Sequence, residues 1–155
     1  WQTQPAPAGG TTDLLNFPDD YLNYSLADTI DRADNKQVRD IYANDAAVAS
    51  ADGDFDRGSI IVMEIYSAQL DMNEDPILDM EGRFMKDQLS IVAVMEKQQG
   101  FGNYTLDTRN GEWEHAFFEP DGTPLPSEAN CYGCHLENAT ASKDFVFSKS
   151  AIADL

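Results

Sequence analysis

Four stretches of the chain have the β-branched and aromatic content or the period-two pattern that is typical of β-strands. The pattern predicts strands at residues 36–43, 59–68, 89–97 and 112–119. In the stretch 59–68 both alternating sets are largely apolar, so we expect that strand to be buried on both faces. The four stretches together predict a β-sheet at the centre of the fold.

The first part of the chain lacks this period. Residues 1–16 are rich in proline, glycine and threonine, and we predict a flexible leader there. Pro18 suits the first position of a helix, and the next two residues, Asp19 and Asp20, complement the positive end of the helix dipole. A helix is therefore predicted from Pro18 to about Asp28. Residues 17–155 form a single domain in this interpretation.

Charge narrows the classes of partner. The 155 residues include 28 aspartates and glutamates against ten lysines and arginines, which gives a net charge of -18. Such a chain would be repelled by nucleic acid and by anionic membranes. No run approaches the roughly 20 apolar residues needed to cross a bilayer. We therefore expect no nucleic-acid partner and no membrane insertion. A cationic protein partner is compatible with the charge, and so is a solvated acidic surface.

Both cysteines of the chain fall in one pentad, Cys131-Tyr132-Gly133-Cys134-His135. In a C-x-x-C-H motif the two thiols form thioether bonds to the vinyl groups of haem, and the histidine becomes an axial iron ligand. The pentad therefore predicts one haem c, attached covalently through Cys131 and Cys134, with His135 as the metal ligand.

Other uses of a Cys-x-x-Cys pair fit this sequence less well. A redox dithiol is expected near a βαβ pattern and needs no following histidine. A structural zinc ion needs four ligands, and the only soft or imidazole donor outside the pentad is the distant His115. A disulfide between residues so close in sequence would stabilise little. Haem attachment is therefore the favoured hypothesis.

The pentad also predicts a cellular location. Haem c is attached outside the cytoplasm in bacteria, so we expect an exported, periplasmic protein. The chain begins with tryptophan, and we expect a signal peptide to have been removed.

The order of elements separates this chain from the common cytochromes c. Small electron-transfer cytochromes c are mostly helical with an early pentad, and cytochromes c′ are four-helix bundles. The chain instead resembles the cytochrome P-460 and cytochrome c′-beta family, through segments that run in the family's order: FPDDY at 17–21, VRDIYAND at 38–45, GSIIVMEIY at 58–66, VMEK at 94–97, WEHAFFEPDG at 113–122, CYGCH at 131–135 and DFVF at 144–147.

The resemblance implies an α+β fold, in which a small antiparallel β-sheet is flanked by helices and carries a covalent haem c near the C-terminus. It also implies a homodimer and a haem whose distal side is open to small molecules. Some members carry a covalent bond between a lysine and the haem ring and oxidise hydroxylamine. Others lack that bond and bind nitric oxide in an apolar pocket.

The chain departs from the first group at the cross-linking lysine. The resemblance places that lysine on the central strand near Met63, and no lysine occurs between Gly58 and Asp79. The lysines elsewhere lie in polar settings or at the ends of predicted elements: Lys36, Lys86, Lys97, Lys143 and Lys149. This argues against a cross-linked haem and against hydroxylamine oxidation.

Five residues are candidates for the distal side. Glu128 is the preferred catalytic carboxylate, because the resemblance places an influential acid a few residues before the first cysteine, and Glu64 is a weaker candidate. Met63 is predicted to line the distal pocket. Met63 and Met95 are weaker candidates for a sixth ligand, because methionine in an apolar strand usually belongs to the core. A bis-histidine haem would have to use His115, which is more simply a strand-surface or interface residue.

These observations favour a mono-haem c-type cytochrome that binds small nitrogen species such as nitric oxide. Hydroxylamine oxidation, which would make the protein an enzyme, is the first alternative. Electron transfer through a six-coordinate haem is the second. A redox protein partner is compatible with this charge and cofactor.

Overall fold

The computed structural model describes residues 4–155, and its centre is a five-stranded antiparallel sheet. Each strand pairs with its neighbours in sequence, so the strand order is β1-β2-β3-β4-β5. The strands are β1 (Ser25–Arg32), β2 (Gln37–Ala43), β3 (Ile60–Ala68), β4 (Lys86–Lys97) and β5 (Trp113–Phe118). This sheet with its few short helices confirms the predicted α+β class.

The helices are short and lie outside the sheet. They are α1 (Asp45–Ser50), α2 (Cys131–Cys134) and α3 (Lys149–Ala153), with 3-10 turns at Tyr21–Asn23 and Ala141–Lys143 and a π-helical turn at His135–Ala139. Within residues 4–155, no helix has the length and apolar character that a membrane crossing requires.

The helix predicted from Pro18 to about Asp28 is wrong. A single 3-10 turn ends at Asn23, and the chain then enters β1. The polar sequence of β1 gives no clear strand period, but the strand pairs with β2 from Ser25 to Arg32, with one irregularity between Leu26 and Asp28. Thr29 adds a side-chain hydrogen bond of 2.7 Å to the buried Asp40 of β2. Tertiary pairing therefore overrides the local helix signal.

Alternate residues of the sheet form two apolar layers. One layer, called face 1, packs against Val146 and Ile152 and includes Ile41, Ile61, Met63, Met95 and Trp113. The other, called face 2, packs against Leu15 and Tyr21 and includes Val62, Val92, Val94, Ala116 and Phe118. The central strands are thus covered on both sides, as the apolar character of β3 predicts.

Part of the predicted leader packs on the domain. The amide of Thr11 donates a 2.7 Å hydrogen bond to the carbonyl of His115 in β5, and Gly9 donates one of 2.6 Å to Ala129. Leu15 is fully buried on face 2. Gly10 adopts a positive φ of 78°, and a Cβ there would lie 1.9 Å from the carbonyl oxygen of His115. This stretch is therefore not a free tether, and a boundary at residue 16 stays a prediction.

Residues 69–85 form a folded arm between β3 and β4. Backbone hydrogen bonds from Gln69 to Met85 and from Met85 to Ile77 hold its segments together. Arg83 fastens the arm to β1, because its Nε donates a 2.8 Å hydrogen bond to Asp31.

Candidate haem-attachment site

The pentad forms one turn of helix that begins immediately after Asn130. The Asn130 side chain accepts a 3.1 Å hydrogen bond from the amide of Gly133 and so caps the first turn. Both cysteines are free thiols; Cys131 is half-buried and Cys134 is exposed. Burial raises the pKa of the Cys131 thiol to about 11. Two thiols on one helical turn, next to a histidine, are the donor set that haem c requires.

His135 is held in one orientation by the backbone. Its Nδ1 lies 2.7 Å from the carbonyl oxygen of Phe145, so Nδ1 carries the proton and donates it. This leaves Nε2 as the ring nitrogen that can ligate a metal. Burial lowers the pKa of His135 and favours the neutral imidazole that a metal ligand requires.

The carbonyl that fixes His135 lies in a strained turn. Asp144 and Phe145 have positive φ angles of 48° and 60°, which are unusual for residues other than glycine. The Phe145 amide donates a 2.8 Å hydrogen bond to Thr140. Asp144 accepts one of 2.8 Å from Lys97 Nζ and one of 3.0 Å from the Phe55 amide.

Face 1 presents a partly uncovered apolar row across the sheet. The pairing register aligns Met63 with Ala93 and Ala93 with Phe117, and all three are only half-buried. The neighbouring row contains the half-buried Ile91. Apolar surface of this kind matches the flat faces of a porphyrin, so the residues present fit a haem.

His135 adjoins face 1 through His115. The two imidazole rings lie 4.7 Å apart between centroids. On another side, Phe147 packs edge-on against His135 at 4.8 Å and remains 49% exposed. The metal-ligating candidate therefore lies between the sheet and an exposed aromatic side chain.

Tyr132, between the two cysteines, ties the pentad to β5. Its hydroxyl donates a 2.6 Å hydrogen bond to Glu114, which is fully buried. Glu114 also accepts hydrogen bonds from the Tyr104 hydroxyl at 2.8 Å and the Gly102 amide at 2.9 Å. The carboxylate is thus surrounded by donors, as a buried charge requires. No role was predicted for Glu114, although a glutamate in so apolar a strand is a usable sequence signal.

His115 is a buried neighbour of the site and is not placed as a second iron ligand. Its Nε2 lies 3.0 Å from the Asn110 side-chain amide, and its ring packs against Tyr132 as well as His135. Burial first, and then the charge of His135, holds the pKa of His115 well below its ordinary value. The strand-surface expectation for His115 is therefore wrong, because the pentad covers it.

The predicted distal residues are not brought together. Met63 lies on face 1, where a distal-pocket role stays a prediction. Glu64 points to face 2, where it is buried and accepts hydrogen bonds of 2.7 Å from Tyr21 and 3.2 Å from Tyr66. Glu128 is exposed, and nothing in its surroundings marks it as a catalytic acid. Its catalytic role stays a prediction.

No lysine lies in the half-buried apolar row of face 1 within residues 4–155. Lys97 is on the same face but pairs with Asp144, at the end of the strand. Lys86 pairs with Asp40 on the side of face 2. Lys36 and Lys149 donate to the backbone carbonyls of Glu74 and Gly53. The row of Met63, Ala93 and Phe117 therefore contains no lysine, in keeping with the absence of a lysine from β3.

Arg39 is a half-buried cation beside the candidate site, and the sequence predicted no role for it. Its position opposite Ile65 in the register places it on the same side of the sheet as Met63. The guanidinium contacts the side-chain oxygen of Gln37 at 2.9 Å, and burial is the main cause that lowers its pKa. A half-buried cation beside an apolar surface suits a negatively charged group such as a haem propionate. The sequence signal that could have indicated Arg39 was a charged residue in β2 whose side chain lies on the same face of the sheet as Met63.

The antiparallel sheet and the C-x-x-C-H pentad that packs against β5 are together the features expected of a haem c protein. Residues 18–148 match the sequence model of the family Cytochrome P460, and the chain belongs to that family. No curated protein matches the chain. Family membership confirms the predicted resemblance and implies haem c as the cofactor.

Proposed function

We propose that the protein is an exported mono-haem c cytochrome that binds nitric oxide at an open distal site. Haem c held at the pentad would supply an iron that accepts a small neutral molecule on the side opposite His135. One observation supports this proposal above the others. Met63, Ala93 and Phe117 are neighbours across β3, β4 and β5, they are apolar and half-buried, and no lysine or carboxylate stands among these three positions.

The chemistry of the two nitrogen compounds explains why this row matters. Nitric oxide is small and uncharged, and its binding requires no proton transfer. An apolar surface that excludes water therefore suits it. Hydroxylamine must lose protons when it is oxidised, and a base within hydrogen-bond reach would assist that loss. The buried Glu64 faces away from this row, and Glu128 is exposed.

The protein's own residues orient the proximal side. The Phe145 carbonyl fixes the His135 ring and increases the basicity of its Nε2. The rings of His115 and Phe147 pack against His135 and limit its rotation. Arg39 offers a cation to a propionate or to another anion at the haem edge.

An optical spectrum of the haem-loaded ferrous protein, before and after addition of nitric oxide, tests the proposal. We expect an ordinary high-spin haem c spectrum that changes at once with nitric oxide, and an intact mass that accounts for one unmodified haem. A low-spin spectrum that does not change when nitric oxide is added would contradict the proposal and favour an electron carrier. A Soret band displaced far to the red would reveal a modified macrocycle.

Hydroxylamine oxidation is the second candidate, because some members of the family catalyse it. It is tested by mixing the ferric protein with hydroxylamine and an artificial electron acceptor. We expect no acceptor reduction above that of free haem. Sustained multi-electron turnover would favour the enzyme and would require a base that the apolar row does not provide.

The proposal includes a cellular location, an oligomeric state and a redox partner. Haem c attachment supports export to the periplasm, and the family supports a homodimer. The net charge of -18 supports a cationic redox partner. If such a partner exists, its association rate should fall steeply as ionic strength rises.

A further inference from the structure

The Phe145 carbonyl that accepts the hydrogen bond from His135 directly follows Asp144, which forms an ion pair with Lys97 at the end of β4. Phe145 and the preceding Asp144 both have positive φ angles. Such conformations persist in non-glycine residues only where the surrounding structure fixes them. The contacts of Asp144, together with the hydrogen bond from the Phe145 amide to Thr140, hold the Phe145 carbonyl in place.

Asp144 is held from two directions. Its Oδ2 accepts a 2.8 Å hydrogen bond from Lys97 Nζ and a 3.0 Å hydrogen bond from the Phe55 amide. The Lys97 and Asp144 side chains are only 12% and 8% exposed, so solvent screens the pair weakly. Lys97 also lies 5.9 Å from the ring centroid of Trp113, a core residue of face 1. The ion pair is thus anchored in the sheet and in the loop before β3.

We propose that Lys97 and Asp144 are positioning residues for the axial ligand His135. The path runs from Lys97 Nζ to the Asp144 carboxylate, through one peptide to the Phe145 carbonyl, and from there to His135 Nδ1 at 2.7 Å. A strong hydrogen bond at Nδ1 fixes the ring and makes Nε2 a better electron donor. The pair therefore acts on the iron without touching it. This inference rests on the proposed haem ligation.

A purely structural role is the competing explanation. Removal of one partner from a buried ion pair destabilises a protein whatever else the pair does. A loss of stability alone therefore does not distinguish the two explanations. The electronic state of the iron does, because only a change at His135 would alter it.

The test uses haem-loaded Asp144→Asn, which keeps the size of the side chain and an acceptor for Phe55 but removes the charge that binds Lys97. We expect the iron–histidine stretching band of the ferrous protein to move to lower frequency and the reduction potential to rise. Both shifts follow from a weaker hydrogen bond at Nδ1. Asp144→Glu keeps the charge but changes the reach of the side chain, so it should shift both quantities in the same direction by less.

The Lys86–Asp40 ion pair provides the matched control. It joins β4 to β2, and its aspartate is likewise almost completely buried. Lys86→Met should lower stability yet leave the stretching band and the potential of the wild type unchanged.

Three results would overturn the inference. One is an Asp144→Asn protein with full haem content and wild-type values of both quantities. Another is a control Lys86→Met that shifts them equally. If Asp144→Asn does not fold, wild-type values in Asp144→Glu would have the same force. A wild-type protein without covalent haem would instead contradict the proposed function itself.

Discussion

The hydroxyl of Tyr132 donates a 2.6 Å hydrogen bond to the carboxylate of Glu114, and both side chains are buried. Tyr132 stands between the two haem-attachment cysteines, whereas Glu114 belongs to the edge strand β5. This contact therefore joins the attachment turn to the sheet. Burial and the neighbouring carboxylate together raise the pKa of Tyr132 far above its ordinary value, so the hydroxyl remains a donor at every working pH.

We expect Tyr132→Phe to lower the free energy of unfolding by about 1.5–3 kcal/mol, the usual range for a hydrogen bond to a charged group. The yield of haem-loaded protein should also fall, because the attachment turn loses its fixed position. Urea unfolding and the haem absorbance per protein measure the two effects. Tyr104→Phe is the control: it removes another donor to Glu114 but keeps the ring that packs on Tyr132, and it should leave haem yield unchanged.

The pentad predicts separate effects for its three functional side chains. The double variant with Cys131→Ala and Cys134→Ala should carry no covalent haem, because no thiol remains to form a thioether. His135→Ala should retain covalent haem, but the iron should lose its proximal ligand. The optical spectrum should therefore differ from that of the wild-type haem c. Intact mass after denaturation, together with the optical spectrum, checks both. Covalent haem in the double cysteine variant would contradict the assignment.

Sequence patterns predicted the middle of the fold well because burial there is regular. The apolar alternation of β3 and β4 predicts both strands, and the turns around them are marked by glycine and proline. The strand β1 was missed because Asp28, Asp31 and Arg32 break its apolar period. Its existence depends on pairing with β2, which no local pattern records.

The site was predictable only where its chemistry lies in contiguous residues. The five residues of the pentad carry the haem-attachment signal by themselves. The partner of His135 is a backbone carbonyl, which any residue type supplies, so the sequence could not indicate Phe145. The Tyr132–Glu114 contact joins residues 18 positions apart and depends on how the attachment turn docks on β5.

Met63 distinguishes a gas-binding haem from a six-coordinate electron carrier. Met63→Leu nearly conserves volume and should cost less than about 1.5 kcal/mol in stability. If the distal side is open, we expect this variant to keep the high-spin spectrum and the nitric oxide response of the wild type. Met95→Leu, in the buried part of face 1, is the matched control. A wild-type low-spin spectrum that Met63→Leu alone abolishes would identify Met63 as the sixth ligand.

The arm at 69–85 should be released by acid, because Asp31 holds it through Arg83. The hydrogen bond from Arg83 is the main cause that lowers the pKa of Asp31 below its ordinary value. A carboxyl whose folded pKa is depressed stabilises the fold above its unfolded pKa of about 3.9. That stabilisation is lost as the pH falls through the lower pKa of the folded state.

Asp31→Asn should therefore lower the free energy of unfolding near neutral pH by up to about 1 kcal/mol, since Arg83 is partly exposed and solvent screens the pair. The difference between variant and wild type should shrink as the pH falls below about 3.9 and should vanish below the lower folded pKa, where Asp31 is protonated and as uncharged as asparagine. Urea unfolding at the two pH values measures it. Asp34→Asn removes a more exposed ion pair with Arg32 in the same hairpin and should have little effect at either pH. An equal loss for Asp31→Asn at both values would show that the charge of Asp31 does not hold the arm.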